Sequence, residues 1–148
     1  MYLLGRLIIS FFIFSSLVGC ATLGPYNLIG LKSEIVKSWN DDKIYDAISG
    51  GFGCHPKSMF YKGILVLRQE MVNRNPNWSD EIKKKIVNGE VSIGMTKKQV
   101  RSSLGLPSDI NKTVVKYGIR EQWIYKGFGY SEISYVYFDD GILTSWQD

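Results

Sequence analysis

Near residue 112 the hydrophobic period of this chain changes, and that change constrains the fold more than any other feature. Upstream, apolar residues recur at helical spacing between good capping residues. From Lys112 to Gln147 they alternate, and β-branched and aromatic side chains become common. Val114, Lys116 and Gly118 alternate with Val115, Tyr117 and Ile119. Glu121 to Tyr125 reads as a second strand, Ile133 to Phe138 as a third and Ile142 to Trp146 as the last. Asp139-Asp140-Gly141 supplies a hairpin turn, since Gly141 can take a positive φ. Helices followed by an antiparallel meander is the order of an α+β fold, with short helices packed on a small sheet. One face of such a sheet needs a cover.

The natural cover is the helix predicted over residues 97–104. Thr96 and Gln99 form a capping box, in which the hydroxyl and the amide each satisfy a free backbone N–H. Met95 and Val100 stand at the two positions of a hydrophobic staple, and Gly105 with Pro107 ends the run. A preceding helix starts at the N-cap Ser79, with Asp80-Glu81 in its first turn, Lys83 to Lys85 near its end and Asn88-Gly89 as the stop. The three lysines read as a solvated face. Residues 57–75 fit either a strand at Ile64 to Leu67 or a longer helix; Arg68-Gln69-Glu70-Met71 favours the helix. Residues 31–49 hold two short helices divided at Asn40-Asp41-Asp42, with an Asp expected to cap the second. Gly50-Gly51-Phe52-Gly53 and Pro56 mark a loop.

The N-terminus says where the chain resides. Leu4 to Phe14 is almost wholly apolar with Arg6 near its start, and Leu17-Val18-Gly19-Cys20 closes the stretch. A basic start, an apolar middle and small residues before the end is the layout of a secretory signal. A bilayer core of ~30 Å needs roughly 20 apolar helical residues, and this run is shorter and broken by serines. A leucine three places before the cysteine and a glycine directly before it resemble a bacterial lipobox. In that reading residues 1–19 are the signal, Cys20 carries the lipid, and residues 20–30, with Gly24-Pro25, form a tether. Ala21, where an Asp would signal inner-membrane retention, implies the outer membrane.

No reactive constellation stands out. Cys54 and His55 are adjacent and so point apart in extended chain, which makes a poor nucleophile–base pair and a poor metal site. A buried packing role suits Cys54 better. The paired acids Asp41-Asp42, Asp80-Glu81 and Asp139-Asp140 all have cap or turn roles. Neither a Ser-His-Asp set nor a phosphate loop is present, so no enzyme activity, no cofactor and no metal site is expected. The formal charge of +4, one unit of it on Arg6, is too small and too scattered to argue for nucleic acid.

Four pieces in order resemble the SmpA/OmlA family: Gly94-Met95-Thr96 with Gln99-Val100, Leu104-Gly105 with Pro107, Glu121 to Tyr125, and Tyr137 to Leu143. These are small outer-membrane lipoproteins similar to the E component of the β-barrel assembly machine. The resemblance covers about residues 90–147 and implies two helices on a three-stranded antiparallel sheet (a BamE-like domain, residues 90–148), leaving residues 31–89 as a mostly helical N-terminal extension. It implies a periplasm-facing accessory protein, bound to the membrane through its lipid and to envelope proteins that include the β-barrel assembly machine, in outer-membrane protein assembly or envelope integrity. The alternative is a periplasmic inhibitor or binding module acting on another envelope protein, by analogy with inhibitors of the same small fold. Trp123, Tyr125, Tyr137 and Trp146 are the candidate partner-binding residues, because exposed Trp and Tyr are favoured at interfaces.

Overall fold

A computed structural model describes residue 28 and residues 30–50, 59–126 and 133–147. The expected signal, Cys20, Cys54 and His55 lie outside these residues. Among the described residues there are five helices, α1 (Ser33–Val36), α2 (Asp41–Ser49), α3 (Met59–Asn73), α4 (Asp80–Asn88) and α5 (Lys97–Leu104). Four strands follow, β1 (Asp109–Val115), β2 (Gly118–Lys126), β3 (Ile133–Asp139) and β4 (Ile142–Gln147). They form one antiparallel sheet in the order β1-β2-β3-β4, so helix and sheet are segregated along the chain as in α+β folds. The sheet has four strands, one more than the resemblance implied. The alternation expected to run from Val114 to Ile119 is corrected: Lys116-Tyr117 is a two-residue turn, with β1 ending at Val115 and β2 starting at Gly118 opposite it.

Local chemistry sets the helix ends. Thr96 and Gln99 make the full capping box, with Gln99 Oε1 accepting from the Thr96 N–H at 2.8 Å. Met95 and Val100, the staple pair, are both fully buried. Ser79 caps α4, and Gly89 ends it at φ 79°, with the Glu90 N–H donating to the Lys85 carbonyl at 2.9 Å. α2 corrects the expected cap. Asn40 Oδ1, not an aspartate, accepts from the Lys43 N–H at 2.8 Å. Asp41 and Asp42 instead occupy the first turn, where their charge suits the helix dipole. In the β3–β4 hairpin both Asp140 and Gly141 have positive φ, 48° and 85°, as a type I′ turn requires.

Two apolar cores result. One lies between the sheet and the helices and joins Trp123, Tyr125, Val136, Phe138 and Leu143 to Met95, Val100 and Leu104. α5 is not its only cover, since Ile86 of α4 and Val72 of α3 are buried in it too. The other core is helical and unites Val36, Ile44, Ile48, Ile64, Leu67 and Met71 with Leu28. Leu28, near the end of the expected tether, is therefore seated in the folded body. It rests against Gly63, where any side chain would strike the Leu28 carbonyl.

α3 contributes to both cores, and polar ties hold the junction. Arg68 is buried, and its Nε donates to the Ser103 carbonyl at 2.8 Å near the end of α5. Its guanidinium also fills the space beside Gly89 at the end of α4. The C-terminal turn of α5 thus supplies partial negative charge where no carboxylate pairs with Arg68 among the described residues. Burial pulls the Arg68 pKa down to about 10, so it remains cationic at neutral pH. Arg74 bridges Glu70 and Asp41, both at 2.9 Å, and donates to the Val36 carbonyl at 3.1 Å. Asp41 in turn meets Lys98 of α5 at 3.3 Å. At Gly105 (φ 85°) a Cβ would collide with the Ser49 amide and lie 2.7 Å from the Tyr45 carbonyl oxygen. The chain there lies directly on α2.

Candidate binding surface

Side chains alternate across a strand, and the register determines which partner-binding candidates reach solvent. Glu121, Trp123 and Tyr125 of β2 share a face with Ser134, Val136 and Phe138 of β3, and this face meets the helices. Trp123 is fully buried, with its ring 4.5 Å from Phe138 and the Arg101 guanidinium 4.8 Å away on it. Its Nε1 donates to Glu121 Oε2 at 2.9 Å, which satisfies the indole in the core. Tyr125 is 1% exposed, and its hydroxyl donates to the Gly105 carbonyl at 3.2 Å. Burial pushes its pKa far up, so the phenol stays neutral. Neither residue can touch a partner in this fold. Both are packing residues, and their polar atoms are satisfied internally.

Glu121 ties this face to the start of α5. Its Oε1 meets Lys97 Nζ at 2.7 Å. Burial alone would raise its pKa, but the bonds from Lys97 and Trp123 outweigh that and hold it below the ordinary carboxylate value.

Tyr137 is half-buried on the opposite face, which no helix covers among the described residues. There a row of side chains crosses all four strands. Asn111 Nδ2 donates to Gln122 Oε1 at 2.9 Å, Gln122 Nε2 donates to the Tyr137 hydroxyl at 3.0 Å, and that hydroxyl donates to Gln147 Oε1 at 2.9 Å. Arg120 and Asp139 pair beside it at 3.3 Å. Donors and acceptors in the row satisfy one another, so Tyr137 knits the strands as well as facing solvent.

Trp146 lies elsewhere again. A bulge between Tyr137 and Phe138 shifts the β3–β4 register and sets Trp146 opposite Val136, on the helix side of the sheet. It is 42% exposed and lines an open groove of about 340 Å³ with Gly89, Glu90, Val91, Leu104 and Ser134. A second groove of about 370 Å³ runs along α3 between Ser33, Leu65, Val66, Gln69, Asn73 and Val87. The four aromatic candidates thus fall in three places, and no common site unites them.

The most exposed apolar surface was not among the candidates. All seven residues of β1 are exposed, and Ile110, Val114, Val115, Tyr117 and Ile119 are large apolar residues open to water on the β1–β2 hairpin. The nearest sequence signal is the polar makeup of Asp109 to Thr113, which suits a strand without a core-facing side. Among the described residues no cluster of His, Cys, Asp and Glu could hold a metal ion, and no helix is long and apolar enough to cross a membrane. Comparison with protein-family models, with curated proteins and with solved structures found no match to this chain.

Proposed function

We propose that this chain is a lipid-anchored binding protein of the cell envelope, held through Cys20 at the periplasmic side of the outer membrane, and that it acts as an accessory subunit without catalysis. The observation that carries the reading is Leu17-Val18-Gly19-Cys20 at the end of a short apolar stretch. The seating of Leu28 supports it, because from Cys20 to Leu28 an extended chain spans at most about 28 Å. That tether would keep the folded body close to the lipid surface. One acyl chain anchors weakly and several hold stably, and lipoprotein processing attaches several.

The order of the motifs from Gly94 to Leu143 further suggests kinship with the SmpA/OmlA family and hence a role beside the β-barrel assembly machine. The α+β arrangement agrees with that kinship, although the fourth strand and the helices before α5 depart from the compact family core.

Incorporation of labelled palmitate into the intact chain and into Cys20→Ala tests the anchor. Label in the first and none in the second is expected; equal label in both would sink it. A pull-down from detergent-solubilised envelope tests the partner. Barrel-assembly components are expected in the eluate, and their clean absence would remove that assignment.

A further inference from the structure

The sheet has two edges, and they are treated differently. The β4 edge is closed by residues 94–97. The Gly94 N–H donates to the Leu143 carbonyl at 2.9 Å, the Leu143 N–H donates to the Met95 carbonyl at 2.8 Å, and Thr96 bridges Ile142. The β1 edge has no such cover among the described residues: β2 is the element that β1 pairs with, and every β1 residue is exposed. The Ile110 N–H turns away from β2, since it donates to its own neighbour's Asp109 Oδ1 at 2.8 Å. Backbone groups alternate in direction along an antiparallel strand, so Lys112 and Val114 present theirs to the same open side. An uncovered edge of this kind is a template for another strand.

We propose that the free edge of β1 is the docking site for an extended segment of a partner protein, which adds a fifth strand to the sheet. The side chains state what that segment carries. Ile110, Lys112 and Val114 lie on one face, and Ile110 and Val114 are 41% and 74% exposed. A strand paired here places apolar residues against Ile110 and Val114 and an acidic residue against Lys112. Its reading is apolar, any, acidic, any, apolar, with small polar residues on the other face beside Asn111 and Thr113. Lys112 stands opposite Glu121 and helps to hold that carboxylate ionised, but no direct ion pair forms between them, so its exposed ammonium can take a second carboxylate on the open side. Self-pairing is disfavoured by the same residue. An antiparallel pair of β1 strands that opposes Ile110 and Val114 sets Lys112 against Lys112 of the second copy.

This inference rests on the binding-module reading, and its test separates the two. The probe is a cyclised hairpin peptide whose free edge reads valine, threonine, aspartate, threonine, isoleucine, added to the full-length protein in detergent micelles. The expected result is slowing of amide exchange at Lys112 and Val114 by about tenfold or more, as pairing demands. Val114→Pro removes the donor without touching the ladder to β2 and should abolish the slowing. Lys112→Glu should weaken the aspartate peptide by about fivefold and should bind the lysine version of the peptide in its place. Unchanged exchange with the peptide, or equal binding by Lys112→Glu, would overturn the proposal. Protection that depends on protein concentration without peptide would overturn it in favour of a second copy. If pull-down recovers envelope partners that Val114→Pro and Lys112→Glu leave undiminished, the edge proposal fails while the binding-module reading stands; failure of wild type to recover any partner is what removes the latter.

Discussion

The two faces of the sheet are made from alternate residues of the same strands, yet they are different materials. On the inner face Trp123, Tyr125, Val136, Phe138 and Leu143 are buried against helices. On the outer face Asn111, Gln122, Tyr137 and Gln147 bond to one another, the outer two exposed and the middle two half-buried. Aromatic residues occur on both. What separates Trp123 from Tyr137 is not hydrophobicity but the helices, which cover one face only. Stability should therefore reside in the inner face, and the outer face should tolerate change. The lesson extends to the edges: β4 is closed by the segment that leads into α5, whereas the outer edge of β1 has no cover among the described residues.

Substitutions can break that comparison. Trp123→Ala should cost the most, about 3–5 kcal/mol in denaturant unfolding, because it opens a cavity and strips Glu121 of a donor. A cost below about 1 kcal/mol, the level of an ordinary surface change, would mean that the inner face is not the core. Gly105→Ala should follow at about 1–3 kcal/mol, since φ 85° and contact with Ser49 leave no place for a side chain. Because this site joins the sheet module to α2, broadened or biphasic unfolding would show that the two cores can come apart. Thr96→Ala should cost about 1 kcal/mol by removing the cap of α5.

Acid titration sharpens the same contrast. The Glu121 pKa is held below its ordinary value of 4.5 in the fold. Its carboxylate therefore adds stability that is complete above that value and is lost as pH falls through the lower folded one. Glu121→Gln should be less stable at neutral pH and should show a shallower decline below about pH 4.5 than the parent protein; parallel curves would deny the Lys97 and Trp123 bonds their effect. The smallest change is expected at Tyr137→Phe, within about 0.5 kcal/mol. A large loss there would make the outer row a structural element equal to the core.

Much of the architecture was legible because it is local. A capping box, a staple and an Asp-Gly turn involve residues a few positions apart, and each formed where Thr96, Met95 and Gly141 stand. Asn40 over its neighbouring aspartates was a closer contest, since all three can cap and only the start of the helix chooses. The candidate residues were less legible. Tyr and Trp suit either side of a strand, having an apolar body and a polar tip, so their identity does not reveal their face. The bulge that turns Trp146 to the helix side has no signature in Phe138 or Leu143 themselves.

The sequence by itself determined that helices precede an antiparallel meander, and where α4, α5 and the β3–β4 turn begin and end, because each depends on neighbours along the chain. Only the tertiary structure decided that Trp123 and Tyr125 are core, that Arg68 is buried on the Ser103 carbonyl, and that β1 has no cover on its outer edge among the described residues. Those outcomes depend on what distant segments cover. Coverage follows from the packing of whole helices against a sheet, and no short stretch of residues encodes it.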